Sequence, residues 1–599
     1  MKYETARMSC RAALAAAILA LLVGCGGSGG GGGSTAEPAA QGATCPERGE
    51  LCYDAVTSTG ALKLVDNRHF LPTAAAGDAA HALEGTIHVS PASVNTTPAD
   101  ADGRTQLPGF SVQWITVDDY LLPLNRDVIQ GGDGGRWNVV LSPGRVWSEP
   151  GDQGMSRAAF PFTLVTNQWN EAHNGVATFL FDDATITDFH VQVMQETTPW
   201  NKIDMWARLP ASYEPETIDS AAATAAAFRD ELAQRVETRP WSQLSDNADT
   251  SQLGQLDRNV PLRDASLAAV LVDDVLYYRE STTRRGDYPF PLDMRHGVFS
   301  VTKSSAAALT MLRLAQLYGE EVFDLFVTDY VEIRVVSHSG WNGVTFGHLL
   351  SMVAGIGDRD PDPAIGNTFA DENDESSATW ASTWNTFDRN GKLQRALLYG
   401  DYPWGPGEIV RYNTAHTFIL GEAMDRFYKA MNGPQADVWQ MMLDEVYAPI
   451  GIPVMPTIKT LGDDALPIYG FGLFLNAYDT ARIMQLLHND GEWNGEQLLH
   501  RDRTRAALYR DGSQGYGTAT STTMAAGARQ PVRYRDSFWS FTLSDADCEV
   551  RVPYMWGYGG NFVVLLPNGV GGILYADAEV HEPGGIGLAL QPMRPICSP

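Results

Sequence analysis

Ser300-Val301-Thr302-Lys303-Ser304-Ser305-Ala306-Ala307-Ala308-Leu309-Thr310-Met311-Leu312-Arg313-Leu314 decides how the rest of this chain is read. Small and apolar residues dominate after Lys303, the texture of a helix buried on several sides. Residues three apart on a helix are surface neighbours, so a helix opening at Ser300 sets the Lys303 amine beside the Ser300 hydroxyl. A serine needs an adjacent base to become a nucleophile, and a desolvated lysine can be that base. The positive end of the helix favours the alkoxide.

Ser-x-x-Lys is a short pattern, and a serine N-cap followed by a solvated lysine would give the same letters. Context separates the two. Of the seven lysines, at 2, 63, 202, 303, 392, 429 and 459, Lys303 alone has a serine three residues before it.

The 599 residues, 44% hydrophobic and 10% aromatic, suffice for at least two cores. A net charge of −29, from 43 basic and 72 acidic residues, argues against a nucleic-acid partner, whose phosphates need cations. Lys2, Arg7 and Arg11 precede an apolar run from Ala12 to Val23, too short to span a membrane comfortably and suited to an export signal. Leu22-Val23-Gly24-Cys25 resembles a bacterial lipobox, which implies a lipoprotein-type signal over 1–25, acylation of Cys25 and a membrane anchor facing the periplasm. Residues 26–44 are Gly/Ser/Ala/Pro-rich and read as a flexible linker.

Four further cysteines, Cys45, Cys52, Cys548 and Cys597, suit disulfides in an oxidising setting. Spacing leaves the pairing open; Cys45–Cys52 with Cys548–Cys597 is the economical choice. No Cys-x-x-Cys or matched histidine spacing points to a metal.

Short alternating runs at 85–89, 110–117, 137–141, 176–181 and 189–193 predict a mainly antiparallel β domain over 45–212, with no catalytic constellation of its own. Alanine-rich residues 216–237 predict a helix opening the second domain, 213–599, and a polar segment follows. The runs 265–272 and 275–279, joined at Asp273-Asp274, predict a hairpin. Strands return from 465 to the end, with helices between, so the sheet of this domain draws on distant segments.

Three segments line up with Ser300 and Lys303: Gly343 to Ile356, Arg411-Tyr412-Asn413-Thr414 continuing to Gly421, and Trp556-Gly557-Tyr558-Gly559-Gly560-Asn561. In this order they resemble serine hydrolases of the class C β-lactamase and DD-peptidase (penicillin-binding-protein-like) group, which includes esterases, D-aminopeptidases and 6-aminohexanoate-dimer hydrolases. The resemblance covers about 260–599 and leaves the β domain outside it. It implies an α/β fold, a β-lactamase-like sheet flanked by helices with a helical subdomain, here preceded by the β domain.

The resemblance implies Tyr412 as a second proton carrier beside Lys303, with Thr414 two residues on. It implies an oxyanion hole from the backbone N–H groups of Ser300 and Tyr558, and a substrate cleft lined by Thr414, Trp556, Gly557 and Gly559. The family's Lys-Thr-Gly or His-x-Gly aligns with Met555-Trp556-Gly557. Met555 therefore stands where relatives place a cation for a substrate carboxylate, which favours an ester or unspecialised amide over a β-lactam.

Gly470-Phe471-Gly472-Leu473 and Asp479-Thr480-Ala481-Arg482 match the family as scaffold. His348 and His416 read as structural. The acidic residues Asp358, Asp360, Asp362, Asp371, Glu372, Asp374 and Glu375 lack an EF-hand pattern and read as a solvated loop.

The expectation is an exported, lipid-anchored serine hydrolase acting on a small-molecule or peptide substrate through an acyl-enzyme, without metal or organic cofactor. The alternatives are a DD-peptidase or β-lactamase acting on peptidoglycan peptides or β-lactams, with an arginine such as Arg411 meeting the carboxylate, and a catalytically silent binding protein on the same scaffold.

Overall fold

The computed structural model describes residues 51, 53–57, 63–99, 104–132, 135–166, 169–198, 201–333, 340–357, 388–524, 527–545 and 548–597. The signal segment with Cys25, the 26–44 linker, the Cys45–Cys52 pair and the acidic residues 358–375 lie outside them.

The strands Ser156–Val165, Ala172–Phe181 and Phe189–Glu196 are buried along their whole length. Side chains alternate between faces along a strand, so both faces here need a cover. On one side Phe160, Phe162, Leu164, Phe179 and Val191 join Ile87 and Trp114 in a core belonging to the sheet itself. On the other, Ala159, Val176, Leu180 and Met194 meet Tyr288, Phe290 and Met294 from the following half of the chain. The sheet has eleven antiparallel strands between Glu84 and Pro215, and the five runs read from sequence fall in it.

The helix expected near 216–237 spans Ala221–Gln234. Its Phe228 packs against Ile115, Val117 and Leu122, so it lies on the N-terminal sheet, where Arg126 also pairs with Glu231. Phe228 is its one buried residue and it belongs to the first sheet's core, so the helix closes that sheet instead of opening the second half.

The second sheet has nine strands in the order Glu237–Pro240, Val275–Arg279, Ala265–Val272, Gly571–Ala576, Asn561–Leu565, Glu549–Gly557, Phe538–Ser544, Arg529–Arg535 and Tyr516–Thr523. The hairpin closes at Val272 opposite Val275, and the same strand then pairs Leu271 with Gly571, joining segments three hundred residues apart. One face carries the helices Leu309–Tyr318, Thr414–Asn432 and Ala477–His488 around Leu312, Phe418, Ile483 and Ile573. The other is covered by Gly584–Leu590, whose Ile586 and Leu590 meet Phe541 and Leu574. A Cys548–Cys597 disulfide, Cα atoms 5.7 Å apart, holds the chain end beside the strand Glu549–Gly557.

The two sheets share core and charge. Val140, Val165 and Ala172 of the first belong to the helical core of the second. Arg284 grips Glu196 with two hydrogen bonds of 2.6 and 2.7 Å and Asp204 with a third of 2.6 Å. Arg285 meets Asp204 at 2.9 Å, and Lys202 reaches Asp264 at 3.0 Å and Asp577 at 3.3 Å. Burying the carboxylates of Glu196 and Asp204 is tolerated because each meets a guanidinium. Both sheets belong to the unit Cys45–Pro599.

Candidate active site

Ser300 occupies the turn before the buried helix, one residue earlier than the helix proper. The turn tightens through Val301 N to Val298 O (3.1 Å), Thr302 N to Phe299 O (3.0 Å) and Lys303 N to Ser300 O (3.0 Å). From Lys303 to Ala308 the helix widens into a π turn before continuing as Leu309–Tyr318. Such π segments concentrate at functional sites.

Lys303 is 1% exposed. Its Nζ donates to Ser300 Oγ at 2.9 Å, to Thr414 Oγ1 at 3.3 Å and to the Gly470 carbonyl at 2.8 Å. It lies 4.8 Å from the centroid of the Tyr412 ring. A carbonyl can only accept, so Gly470 claims one N–H, whereas a hydroxyl can reverse its role and donate to a neutral amine. Both hydroxyls can thus meet a lone pair on Nζ, and Ser300 at 2.9 Å lies nearer than Thr414 at 3.3 Å. Ser300, Lys303 and Tyr412, read from separate motifs, are brought together.

Thr414 begins the helix Thr414–Asn432 behind the cap Asn413, directly against the lysine. It is 4% exposed, so it braces Lys303 rather than lining an open cleft as expected. Met555 is also withdrawn. It is 1% exposed, and its Sδ accepts from Ser305 Oγ at 3.4 Å, beneath the helix that follows Ser300. Neighbouring strand residues face opposite ways, which leaves Trp556 on the other side.

Gly557 lies so close to the segment before Ser300 that a Cβ there would stand 2.1 Å from the Val298 carbonyl oxygen. This brings the turn Tyr558-Gly559-Gly560, with φ of +86° and +95° at the glycines, alongside Ser300. Asn561 Nδ2 holds the Tyr558 carbonyl at 2.6 Å, and Ala578 N holds that of Gly559 at 2.9 Å. Tyr558 is 40% exposed, with its ring 5.9 Å from that of Phe299.

A series of aromatic contacts runs from the lysine back to the serine. Tyr412 meets Trp539 at 5.4 Å, Trp539 meets Trp556 at 5.2 Å, Trp556 meets His581 at 5.7 Å, and His581 meets Tyr558 at 5.8 Å. Phe299, next to Ser300, completes it.

The backbone is strained around this cluster. Phe299 has φ +47°, Tyr469 before Gly470 has +61°, and Ser537 has +69°. Ser537 gives its carbonyl to Ser304 Oγ at 2.6 Å. Left-handed backbone at bulky residues costs about 1–3 kcal/mol each and persists where surroundings enforce it.

Nearby candidates serve the scaffold. His348 closes a capping box with Thr345, and burial lowers its pKa. His416 is fully buried, and that burial pushes it down to about 4. Arg411 is buried with its guanidinium 5.4 and 5.2 Å from the rings of Tyr402 and Trp404, themselves stacked at 4.5 Å. Sequence reading missed Gly470, taken as scaffold, and the collar residues Trp539 and His581. The Gly-x-Gly pattern at 470–472 was the available signal for the first; the others had none.

A search of curated proteins finds no match. Among solved structures, a penicillin-binding protein homologue from Caulobacter crescentus is 16% identical over 58% of this chain and 96% of its own, with a TM-score of 0.39. A family VIII carboxylesterase is 16% identical over 61% and 95%, at 0.36. An octameric penicillin-binding protein homologue from Pyrococcus abyssi is 14% identical over 55% and 72%, at 0.37. The family described as Beta-lactamase matches residues 262–589, more than half of the chain and all of the residues gathered at Ser300, and the chain belongs to that family of serine hydrolases.

Proposed function

We propose that this protein hydrolyses an ester or amide bond of a small, uncharged, apolar substrate through an acyl-enzyme on Ser300. The observation that carries the reading is the 2.9 Å contact between Ser300 Oγ and the buried Lys303 Nζ, with the Tyr412 ring beside it. Ser300 Oγ attacks the carbonyl carbon while its proton passes to the Lys303–Tyr412 pair. The tetrahedral oxyanion rests on the N–H groups of Ser300 and Tyr558. The pair returns the proton to the leaving group as its bond to carbon breaks, and water repeats the sequence to free the acid.

The collar of half-buried Tyr412 and Trp556 with exposed Tyr558 and His581, backed by the buried Trp539 and Phe299, favours a flat or apolar group at the mouth of the site. Met555 beneath Ser305 and Arg411 against Tyr402 and Trp404 weigh against recognition of a carboxylate, hence against the DD-peptidase and β-lactamase alternative. The intact set at Ser300 weighs against a silent binding protein. The export signal over 1–25, anchorage through Cys25 and a periplasmic location complete the proposal, with 26–44 as tether and no nucleic-acid partner.

The test sets a p-nitrophenyl ester beside a chromogenic cephalosporin. Ester turnover that Ser300→Ala abolishes, with the cephalosporin poorly cleaved, supports the reading. Preferred cleavage of the cephalosporin overturns the substrate class.

A further inference from the structure

The N-terminal sheet reaches the catalytic residues through two side chains. Asn170 precedes the strand Ala172–Phe181, and Thr197 follows Phe189–Glu196, the strand beside it; Thr197 N to Ala172 O, at 2.9 Å, ties the two ends together. Both side chains are buried, Asn170 at 1% exposure and Thr197 at 0%.

Asn170 uses both ends of its amide on one backbone segment. Its Oδ1 accepts from Gly472 N at 2.9 Å and its Nδ2 donates to the Leu473 carbonyl at 3.1 Å. That segment touches the catalytic residues on both sides. Two residues before Gly472 is Gly470, whose carbonyl holds Lys303 Nζ. Leu473 O also accepts from Val298 N, at 3.3 Å, and Leu473 N donates to Thr302 Oγ1, at 3.2 Å. Thr197 Oγ1 accepts from Gly297 N at 2.8 Å, three residues before the nucleophile. The approach is close: a Cβ on Gly297 would stand 1.8 Å from the Asn170 carbonyl oxygen, so only glycine fits. His296–Gly297 pairs with Phe474–Leu475, so the two gripped segments also grip each other.

The anchor is itself fixed. Glu171, next to Asn170 and fully buried, meets Arg136 at 2.8 Å and Asn201 at 2.7 Å. Burial would raise its pKa, yet His173, Arg136 and Asn201 together hold it down to about 2.

We propose that Asn170 and Thr197 are positioning residues for Ser300 and Lys303, making the N-terminal sheet a working part of the hydrolase. This rests on Ser300 and Lys303 being the catalytic pair. The apolar packing and the Arg284 and Arg285 pairs join the halves away from Ser300, whereas these directional bonds set one register for the serine turn and the lysine's acceptor together. A misplacement of about 1 Å at such a site can lower a rate by about a hundredfold.

The experiment uses the full chain with Thr197→Val, which keeps shape and removes the acceptor, Thr197→Ser, which restores it, and Asn170→Ala. Ester turnover is followed against pH, with melting recorded alongside. Thr197→Val and Asn170→Ala are expected to lower kcat by roughly ten- to a hundredfold, with KM changed less than about threefold, and to move the acid limb of the rate profile; Thr197→Ser is expected to return to the wild-type profile. Should Asn170→Ala fail to fold, the Thr197 pair decides. Wild-type kcat and pH profile in the folded variants, whatever their melting temperature, overturns the proposal, as does Thr197→Ser impaired as deeply as Thr197→Val. Turnover that survives Ser300→Ala is a separate outcome: it rejects the nucleophile, and this inference with it.

Discussion

The two sheets both bury polar groups, but for different ends. In the N-terminal sheet buried charges meet opposite charges: Arg157 with Asp152, Glu171 with Arg136, and Glu196 with Arg284 across to the second half. In the helix after Ser300 the buried Lys303 is met by neutral groups, the hydroxyls of Ser300 and Thr414 and the Gly470 carbonyl. A charge locked to a charge fixes geometry, and a charge set among hydroxyls can trade protons with them. The same rule, that a buried polar atom must be satisfied, therefore yields a joint in one region and, in the other, the proton-sharing set proposed for catalysis.

Lys303→Met breaks the comparison most deeply. It keeps the apolar stem and removes the amine, and the ester turnover rate should fall by about a thousandfold while the melting temperature stays close to wild type. Unchanged turnover would show the lysine to be structural, like the charges of the first sheet.

Arg284→Ala tests the other side. It strands Glu196, while Asp204 keeps Arg285 at 2.9 Å, and chemical denaturation should report a loss of about 3 kcal/mol. A negligible loss would mean that the joint rests on apolar packing alone.

Asp577 sharpens the contrast through pH. It is fully buried beside Lys202, and burial, reinforced by the charge of Glu196, raises its pKa well above the ordinary value despite the opposing lysine. The folded state then holds a proton that the unfolded chain releases, so this residue's stabilising effect is complete below its unfolded value of 3.8 and is lost as pH rises through the raised folded value. Asp577→Asn should flatten the decline in melting temperature over that range, and an unaltered slope would locate the titration elsewhere.

Trp556→Leu is the mildest change. Loss of its contacts with Trp539 and His581 should cut kcat/KM for an aryl ester by about tenfold relative to an alkyl ester. Equal loss for both would deny the collar a part in selectivity.

Local spacing made much of this legible. Ser300 and Lys303 meet because three helical residues bring side chains together, and the hairpin at Asp273-Asp274 follows from two apolar runs around a turn. Tyr412 was legible only through family resemblance, since 109 positions separate it from Lys303 and no periodicity links them. Gly470 stands in a Gly-x-Gly pattern that matches the family, but its contribution is a carbonyl, which every residue has, so the pattern does not give its role. Asn170 and Thr197 were invisible for a further reason: their partners lie 302 and 303, and 100, positions away, and only the packing of one sheet's end against the other half creates the contacts. Thr414 shows the converse limit, since family resemblance put it in the substrate cleft whereas at 4% exposure it lies under the surface against Lys303.

The central claim is that Ser300 is made nucleophilic by Lys303. It is tested most directly by treating the purified protein with a fluorophosphonate and mapping the adduct by peptide mass spectrometry. The account predicts a single adduct on Ser300, absent in Ser300→Ala and formed far more slowly in Lys303→Met. An adduct on another residue, or undiminished labelling of either variant, would contradict it.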